Sequence, residues 1–233
     1  MATTKANHNP VMPDRLYYIH DPMCSWCWGF RPVHDELINL LPDNIKWISL
    51  LGGLAPDNDT PMSPDMQASL QKIWHKIADT IPGTAFNFDF WIQNVPRRST
   101  WPACRAVLLA AQQDASLANK MTTAIQSAYY LDARNPSDTK VLVDLAMQIG
   151  CDTSHFEEEL HSEQTRSKLM KQITFARQLG AQGFPSLILV SGRSDTLSTP
   201  SQDTLSPSTV NSIAIDYHSA ATILERVEQL RAA

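Results

Sequence analysis

Two hydrophobic periods alternate along this chain. Near its start, Leu16-Tyr17-Tyr18-Ile19-His20 is an unbroken apolar and aromatic run, the pattern of a strand covered on both faces. The run stops at Asp21-Pro22. From Cys24 onward Trp28, Val33, Leu37, Leu40 and Leu41 recur at helical spacing until Pro42. Pro32 falls inside that pattern, where its missing backbone donor is expected to kink the helix. Ile45–Leu51 (IKWISLL) returns to a strand and ends at Gly52-Gly53. Strand, helix and strand in one short stretch form a βαβ unit, which implies a parallel pair.

The middle of the chain is helical throughout. Ser63-Pro64 supplies an N-cap and a first-turn proline to a helix striped by Met66, Leu70, Ile73, Trp74 and Ile77, closed by Pro82-Gly83. An aromatic loop (AFNFDFW) and Pro96 precede helices expected over 102–113, 117–131 and 138–149, the last stopped by Gly150. Ser154 with Glu157 reads as a capping box opening a short helix through Leu160, and a further helix spans 163–179. Strand character returns at Ser186–Val190 and over 212–217 (SIAIDY). Between them the Ser- and Thr-rich stretch 191–211, with Pro200 and Pro207, cannot bury apolar surface and is expected to be a mobile loop. A last helix over 219–231 carries Ile223, Val227 and Leu230 on one face. The order is therefore βαβ, a block of helices, then ββα. It divides the chain into a flexible N-terminus (1–14), a sheet-bearing domain (15–55 and 180–233) and a helical insertion (56–179).

Composition narrows the function. With 19 Lys and Arg against 24 Asp and Glu in 233 residues, the net charge is −5, which offers no electrostatic footprint for nucleic acid. Apolar residues at 43% and charged residues at 18% suit a globular core. No apolar run approaches the ~20 residues that span a bilayer, so no membrane role is expected. The first fifteen residues lack the continuous apolar core of a secretory signal, from which a cytoplasmic location is expected. Four cysteines are too few for a disulfide scaffold. Cys104 and Cys151 stand alone, but Cys24 and Cys27 form one close pair, which points to chemistry or metal.

The pair, Cys24-Ser25-Trp26-Cys27, follows a strand and opens a helix. A helix N-terminus presents unpaired N–H groups and the positive end of its dipole, so a thiolate at Cys24 is expected to be stabilised below the ordinary thiol range. Cys24 is then the exposed nucleophile, and Cys27, inside the turn, resolves the mixed disulfide. Zinc is a competing use of a CxxC, but no second CxxC or paired-histidine motif accompanies it, and no metal is expected. A pair of buried, unreactive thiols or a structural disulfide would also account for two close cysteines. A second element, Gly183-Phe184-Pro185, precedes the strand SLILV; its proline belongs at a bend or an edge.

These residues resemble a family. YYIHDPMCSWCWGF (17–30), Pro32, the Gly-Phe-Pro triplet and the helical insertion resemble the DsbA-type thioredoxin-fold proteins from Leu16 to Leu230. DPMCSWCWGF together with STWPACRAV (99–107) and IQSAYYLDAR (125–134) is most similar to the predicted cytoplasmic protein-disulfide isomerase branch, FrnE-like. The resemblance implies an α/β thioredoxin-like fold with an all-helical domain inserted between its halves. It implies that Cys24 attacks, that Cys27 resolves, and that Pro185 is a cis-proline against the sulfurs. The backbone at Phe184 would pair with an extended substrate, and Trp26 would help form an apolar rim. The expected activity is that of a thiol–disulfide oxidoreductase on protein or small-molecule disulfides. It needs no tightly bound cofactor beyond a redox-active Cys24–Cys27 disulfide, with glutathione as a candidate co-substrate and a homodimer as a candidate assembly.

The chain departs from the pattern in two places. Tyr18 stands where thioredoxin-like enzymes often bury an acid, and Ser25-Trp26 brings no histidine between the cysteines, so oxidase, reductase and isomerase directions stay open. Asp21, beside Pro22, reads as an exposed turn former, able to accept a proton from Cys27 only if it points inward. Two other functions compete. One is a glutathione-dependent isomerase or kappa-type glutathione transferase acting on small aromatics; the other is a non-enzymatic, zinc-binding adaptor.

Overall fold

The computed structural model describes residues 13–192 and 210–232. β1 (Asp14–His20), α1 (Ser25–Leu40) and β2 (Ile45–Leu51) form the expected βαβ unit. The helices α2 (Pro64–Thr80), α3 (Phe90–Gln93), α4 (Trp101–Gln113), α5 (Leu117–Tyr130), α6 (Thr139–Gln148), α7 (Phe156–His161) and α8 (Glu163–Gln178) come next. β3 (Ser186–Val190), β4 (Val210–Ile213) and α9 (Ala220–Ala232) complete the order. In the sheet the strands run β2-β1-β3-β4, with β1 and β2 parallel and β3 antiparallel to both of its neighbours.

Period-two alternation in β1 explains how the sheet is covered. Leu16 and Tyr18 face Phe30, Val33 and Leu37 of α1 and Ile223 and Val227 of α9. Tyr17 and Ile19 face the other way, onto Ala176 and Leu179 at the end of α8. Burying each large apolar side chain contributes roughly 1.5–3 kcal/mol. Both faces must therefore be covered, and the last insertion helix covers one of them. A third core, inside the helical block, gathers Trp74, Phe90, Tyr129, Tyr130 and Leu109.

Several local expectations change. β1 begins at Asp14, because its carboxylate accepts from Gly192 N at 2.7 Å and from Arg231 Nε at 2.7 Å, tying the strand start to β3 and α9. The fourth strand covers Val210–Ile213 rather than 212–217. Past Ile213 the backbone turns to serve α9, where Asp216 accepts from His218 N and Ser219 N. The aromatic loop contains the short helix α3. Ser154 does not cap α7: the helix follows His155, and Ser154 N instead donates to Asp152 Oδ1 at 2.9 Å. α1 runs unbroken through Pro32, which lies on its exposed side. The flexible terminus expected over 1–14 and the mobile loop over 191–211 otherwise lie outside the described residues.

Candidate active site

The turn after β1 places the cysteines. Cys24 N donates to Asp21 O at 3.0 Å, and Cys24 is the N-cap of α1, its carbonyl accepting from Trp28 N at 3.0 Å. Its sulfur therefore sits where the first-turn N–H groups have no intrahelical partner. Cys27 lies on the buried face of the same first turn. The expected contrast in exposure is small: Cys24 keeps 7% of its surface and Cys27 none. The Cys24 thiol donates to Phe184 O at 3.6 Å, so the loop before β3 covers it. Burial pushes the Cys27 thiol well above its ordinary value; its hydrogen bond with Cys24 and the nearby charge of Asp21 add to this.

The loop that carries Phe184 is fixed by what lies beneath it. The Phe184–Pro185 bond is cis. A Cβ on Gly52 would come within 1.8 Å of the Phe184 ring, so only glycine lets the ring settle there. Trp26 is half-buried on the other side, its ring 5.2 Å from Tyr217, a residue that no local pattern singled out. Burial first, then Cys27 and Cys24, pushes the Tyr217 phenol upward. Tyr18 also faces Cys27, and burial together with the two sulfurs raises its ionisation far above the usual phenol range.

Asp21 is not an exposed turn residue. It is fully buried and accepts four hydrogen bonds, from Met23 N (2.8 Å), Leu54 N (2.7 Å), Thr100 Oγ1 (2.6 Å) and Cys104 Sγ (3.4 Å). Desolvation raises its ionisation despite these donors. The carboxylate thus points inward, the condition set for accepting a proton from Cys27, and its hydrogen bonds tie the loop to α4. An Asp followed by Pro predicts a turn but not which way the carboxylate points; Thr100 and Cys104, its partners 79 and 83 residues later, lie in the segment 99–107 that carried the resemblance, but nothing local tied them to Asp21.

The residues around the pair separate clearly. Trp28 packs into the helical block, stacked on Tyr130 at 5.6 Å with its indole N–H donating to Ala85 O at 3.0 Å, whereas Trp26 lies against Tyr217. The Tyr130 hydroxyl donates to Met23 O at 2.8 Å. Cys104 is fully buried, and burial followed by the Asp21 charge pushes its thiol well up; Cys151 is buried at the end of α6. His34 bonds Asp35 through Nδ1 at 2.8 Å, while His20 is buried with Nδ1 unpartnered. Arg97 is paired with Asp138. Among the described residues no group of three or more His, Cys, Asp or Glu is placed to hold a metal ion. None of the described helices is long and apolar enough to cross a membrane.

The family model for a DSBA-like thioredoxin domain matches residues 18–207. A solved structure from Nitrosomonas europaea, described as a candidate protein disulfide isomerase, is 25% identical with a TM-score of 0.76, covering 94% of this chain and 98% of that one. The cytosolic disulfide reductase DsbM of Pseudomonas aeruginosa is 23% identical with a TM-score of 0.67, covering 94% and 100%; it has also been solved with GSH. The ClpXP adapter protein SpxH of Bacillus subtilis is 24% identical over 77% of this chain, which spans 59% of that protein's length.

Proposed function

This chain belongs to the DSBA-like thioredoxin domain family, and we propose that it is a thiol–disulfide oxidoreductase working by mixed-disulfide exchange at Cys24. The observation that carries this reading is the placement of the two thiols: Cys24 at the N-cap of α1 against Phe184 O, and Cys27 fully buried in the turn behind it. The Cys24 thiolate attacks one sulfur of a substrate disulfide. The substrate S–S bond breaks and its other sulfur leaves as a thiolate, which takes a proton from water. Cys27 then gives its proton to solvent and attacks the Cys24 sulfur. The second substrate sulfur departs, leaving a Cys24–Cys27 disulfide and a substrate reduced by two electrons. Two molecules of a small thiol such as glutathione restore the dithiol and leave as a disulfide.

The substrate enters as an extended segment along the backbone at Phe184, with Pro185 shaping the bend and Trp26 and Tyr217 giving an apolar rim. Ser25-Trp26 brings no cation to hold a strongly oxidising thiolate, which favours reduction or isomerisation among the directions left open. The proposed division is a thioredoxin-like domain of 15–55 and 180–233 around a helical insertion of 56–179. A cytoplasmic location is supported by the cytosolic relative, and a role for glutathione by the relative solved with GSH.

The test is insulin reduction driven by glutathione. Cys24→Ser should lower the rate more than a hundredfold, and Cys27→Ser should accumulate a mixed disulfide on Cys24. Full turnover in Cys24→Ser overturns the proposal. The name of the Bacillus relative favours a second reading, an adapter whose helical block binds a partner. Partner capture undiminished in the Cys24→Ser, Cys27→Ser double variant, with no insulin reduction by the unaltered chain, would establish it instead.

A further inference from the structure

The helical block does not close against the open edge of the sheet. A cleft of about 510 Å³ separates β2 and α1 from α4 and α5, a volume typical of small-molecule sites, which favour such junctions. None of Cys24, Trp26, Phe184, Pro185 and Tyr217 lines it. One wall is small and apolar, built from Ala111, Ala115 and Ala118 with Leu108. The facing wall carries Arg31, His34 and Lys46. Among the described lining residues there is no Asp or Glu, in a chain whose net charge is −5.

The polar wall is organised yet incompletely used. Arg31 donates through Nε to Asp35 Oδ2 at 3.0 Å, through Nη1 to Gln126 Oε1 at 3.1 Å and through Nη2 to Thr123, which leaves part of its five-donor fork free. Gln126 is 1% exposed and also lines the cleft. Asp35, the carboxylate nearest this wall, is occupied by Arg31 and His34. His20 lines the cleft at 5% exposure, and its Nδ1 has no hydrogen-bond partner. A buried ring nitrogen without a partner is uncommon and calls for one. Burial holds this imidazole neutral, its pKa lowered to about 3.

We propose that this cleft binds a small organic anion with an apolar body, its carboxylate or sulfonate against Arg31, Gln126 and His20 and its hydrocarbon along Ala111, Ala115 and Ala118. An extended peptide laid on the β2 edge would cover residues 46–49 but leave the buried His20 and Gln126 unanswered; a small anion reaches them. The site is independent of the redox proposal.

Isothermal titration of the full chain with octanoate tests it. One octanoate should bind per chain, and octan-1-ol at least tenfold more weakly. Ala118→Phe and Ala115→Trp should each weaken octanoate at least tenfold; Ala115 is exposed, so the second variant folds irrespective of the first. Arg31→Gln should weaken it about fivefold, and Cys24→Ser should leave it unchanged. Absence of saturable binding overturns the proposal, as does binding indifferent to both Ala115→Trp and Arg31→Gln, or octan-1-ol binding as tightly as octanoate. A binding site that moves with Cys24→Ser would place the anion in the redox groove and also overturn it.

Discussion

The helical block meets the sheet in two places that are built in opposite ways. At the N-terminus of α1 the seam is buried and polar: Asp21 draws donors from its own loop, from Leu54 and from α4, Tyr130 reaches Met23 O, and Trp101 Nε1 reaches Gly53 O at 3.2 Å. At the open edge of β2 the seam is a cleft of about 510 Å³, bridged at its margins by Gln172 to Leu51 N and by Arg31 to Gln126. Apolar burial is nondirectional and tolerates some sliding, whereas buried hydrogen bonds fix distance and angle and cost heavily when broken. Directional contacts are concentrated where Cys24 must be held against Phe184, and confined to the margins where the chain leaves room.

The largest effect should come from opening the polar seam. Asp21→Ala strands four donors around a buried site and should cost about 5 kcal/mol in urea unfolding, given ~1–3 kcal/mol per stranded buried group and partial relaxation. Asp21→Asn isolates the charge. The folded-state ionisation of Asp21 is raised above 3.8 by burial, so its contribution to stability is full below that value and is lost as pH rises through the folded one. The stability of the unaltered chain relative to Asp21→Asn should therefore decline as pH rises from about 4. A flat difference would mean that Asp21 is not desolvated as described.

The two seams were unequally legible in the sequence. Elements followed from pattern: β2 lies where IKWISLL placed it, and the stops at Gly150 and Gly180 have positive φ, 90° at each. The sulfur pair was legible because strand, CxxC and helix are contiguous. Asp21 was not, because its meaning depends on Thr100 and Cys104, which are brought to it only by packing of the helical block. The same holds for Tyr217 beside Trp26. Ser154 shows the opposite failure: its local capping signature was correct in form, but Asp152 captured its N–H first. The cleft left no mark in the pattern, since its alanines, Ala111 on α4, Ala115 in the following turn and Ala118 on α5, come together only through packing.

On the open side, His20 should give the next largest effect. Its pKa is lowered from 6.5 to about 3, so the stability tied to its neutral form is complete above 6.5 and is lost as pH falls toward 3. Between pH 6.5 and 4 this amounts to roughly 3 kcal/mol, at 1.36 kcal/mol per pH unit. His20→Phe, which keeps a ring against Tyr18, should remove most of that acid-side loss; the check is the urea midpoint at the two pH values. Tyr130→Phe returns to the polar seam with a smaller effect. It keeps the stack on Trp28 but leaves Met23 O without its donor, for about 1–1.5 kcal/mol. Its specific signature is a changed rate of iodoacetamide alkylation at Cys24, one residue along the loop.

The smallest effect is the sharpest comparison, because α5 carries both environments on one helix. Ala118 lines the cleft and is half-buried; Ala128 is 1% exposed inside the core of the helical block. Leucine adds the same three carbons at either position. At 118 they enter open space, where apolar burial offsets the rotamer entropy of about 0.5–1 kcal/mol, and the net change should stay under about 0.5 kcal/mol. At 128 they meet close-packed neighbours and should cost about 1–3 kcal/mol. Equal penalties in thermal or urea unfolding would mean that the cleft is filled by the folded chain itself. A near-zero value at 118 with a large one at 128 would mark the β2 seam as space held open by the packing, available to a ligand without loss to the fold.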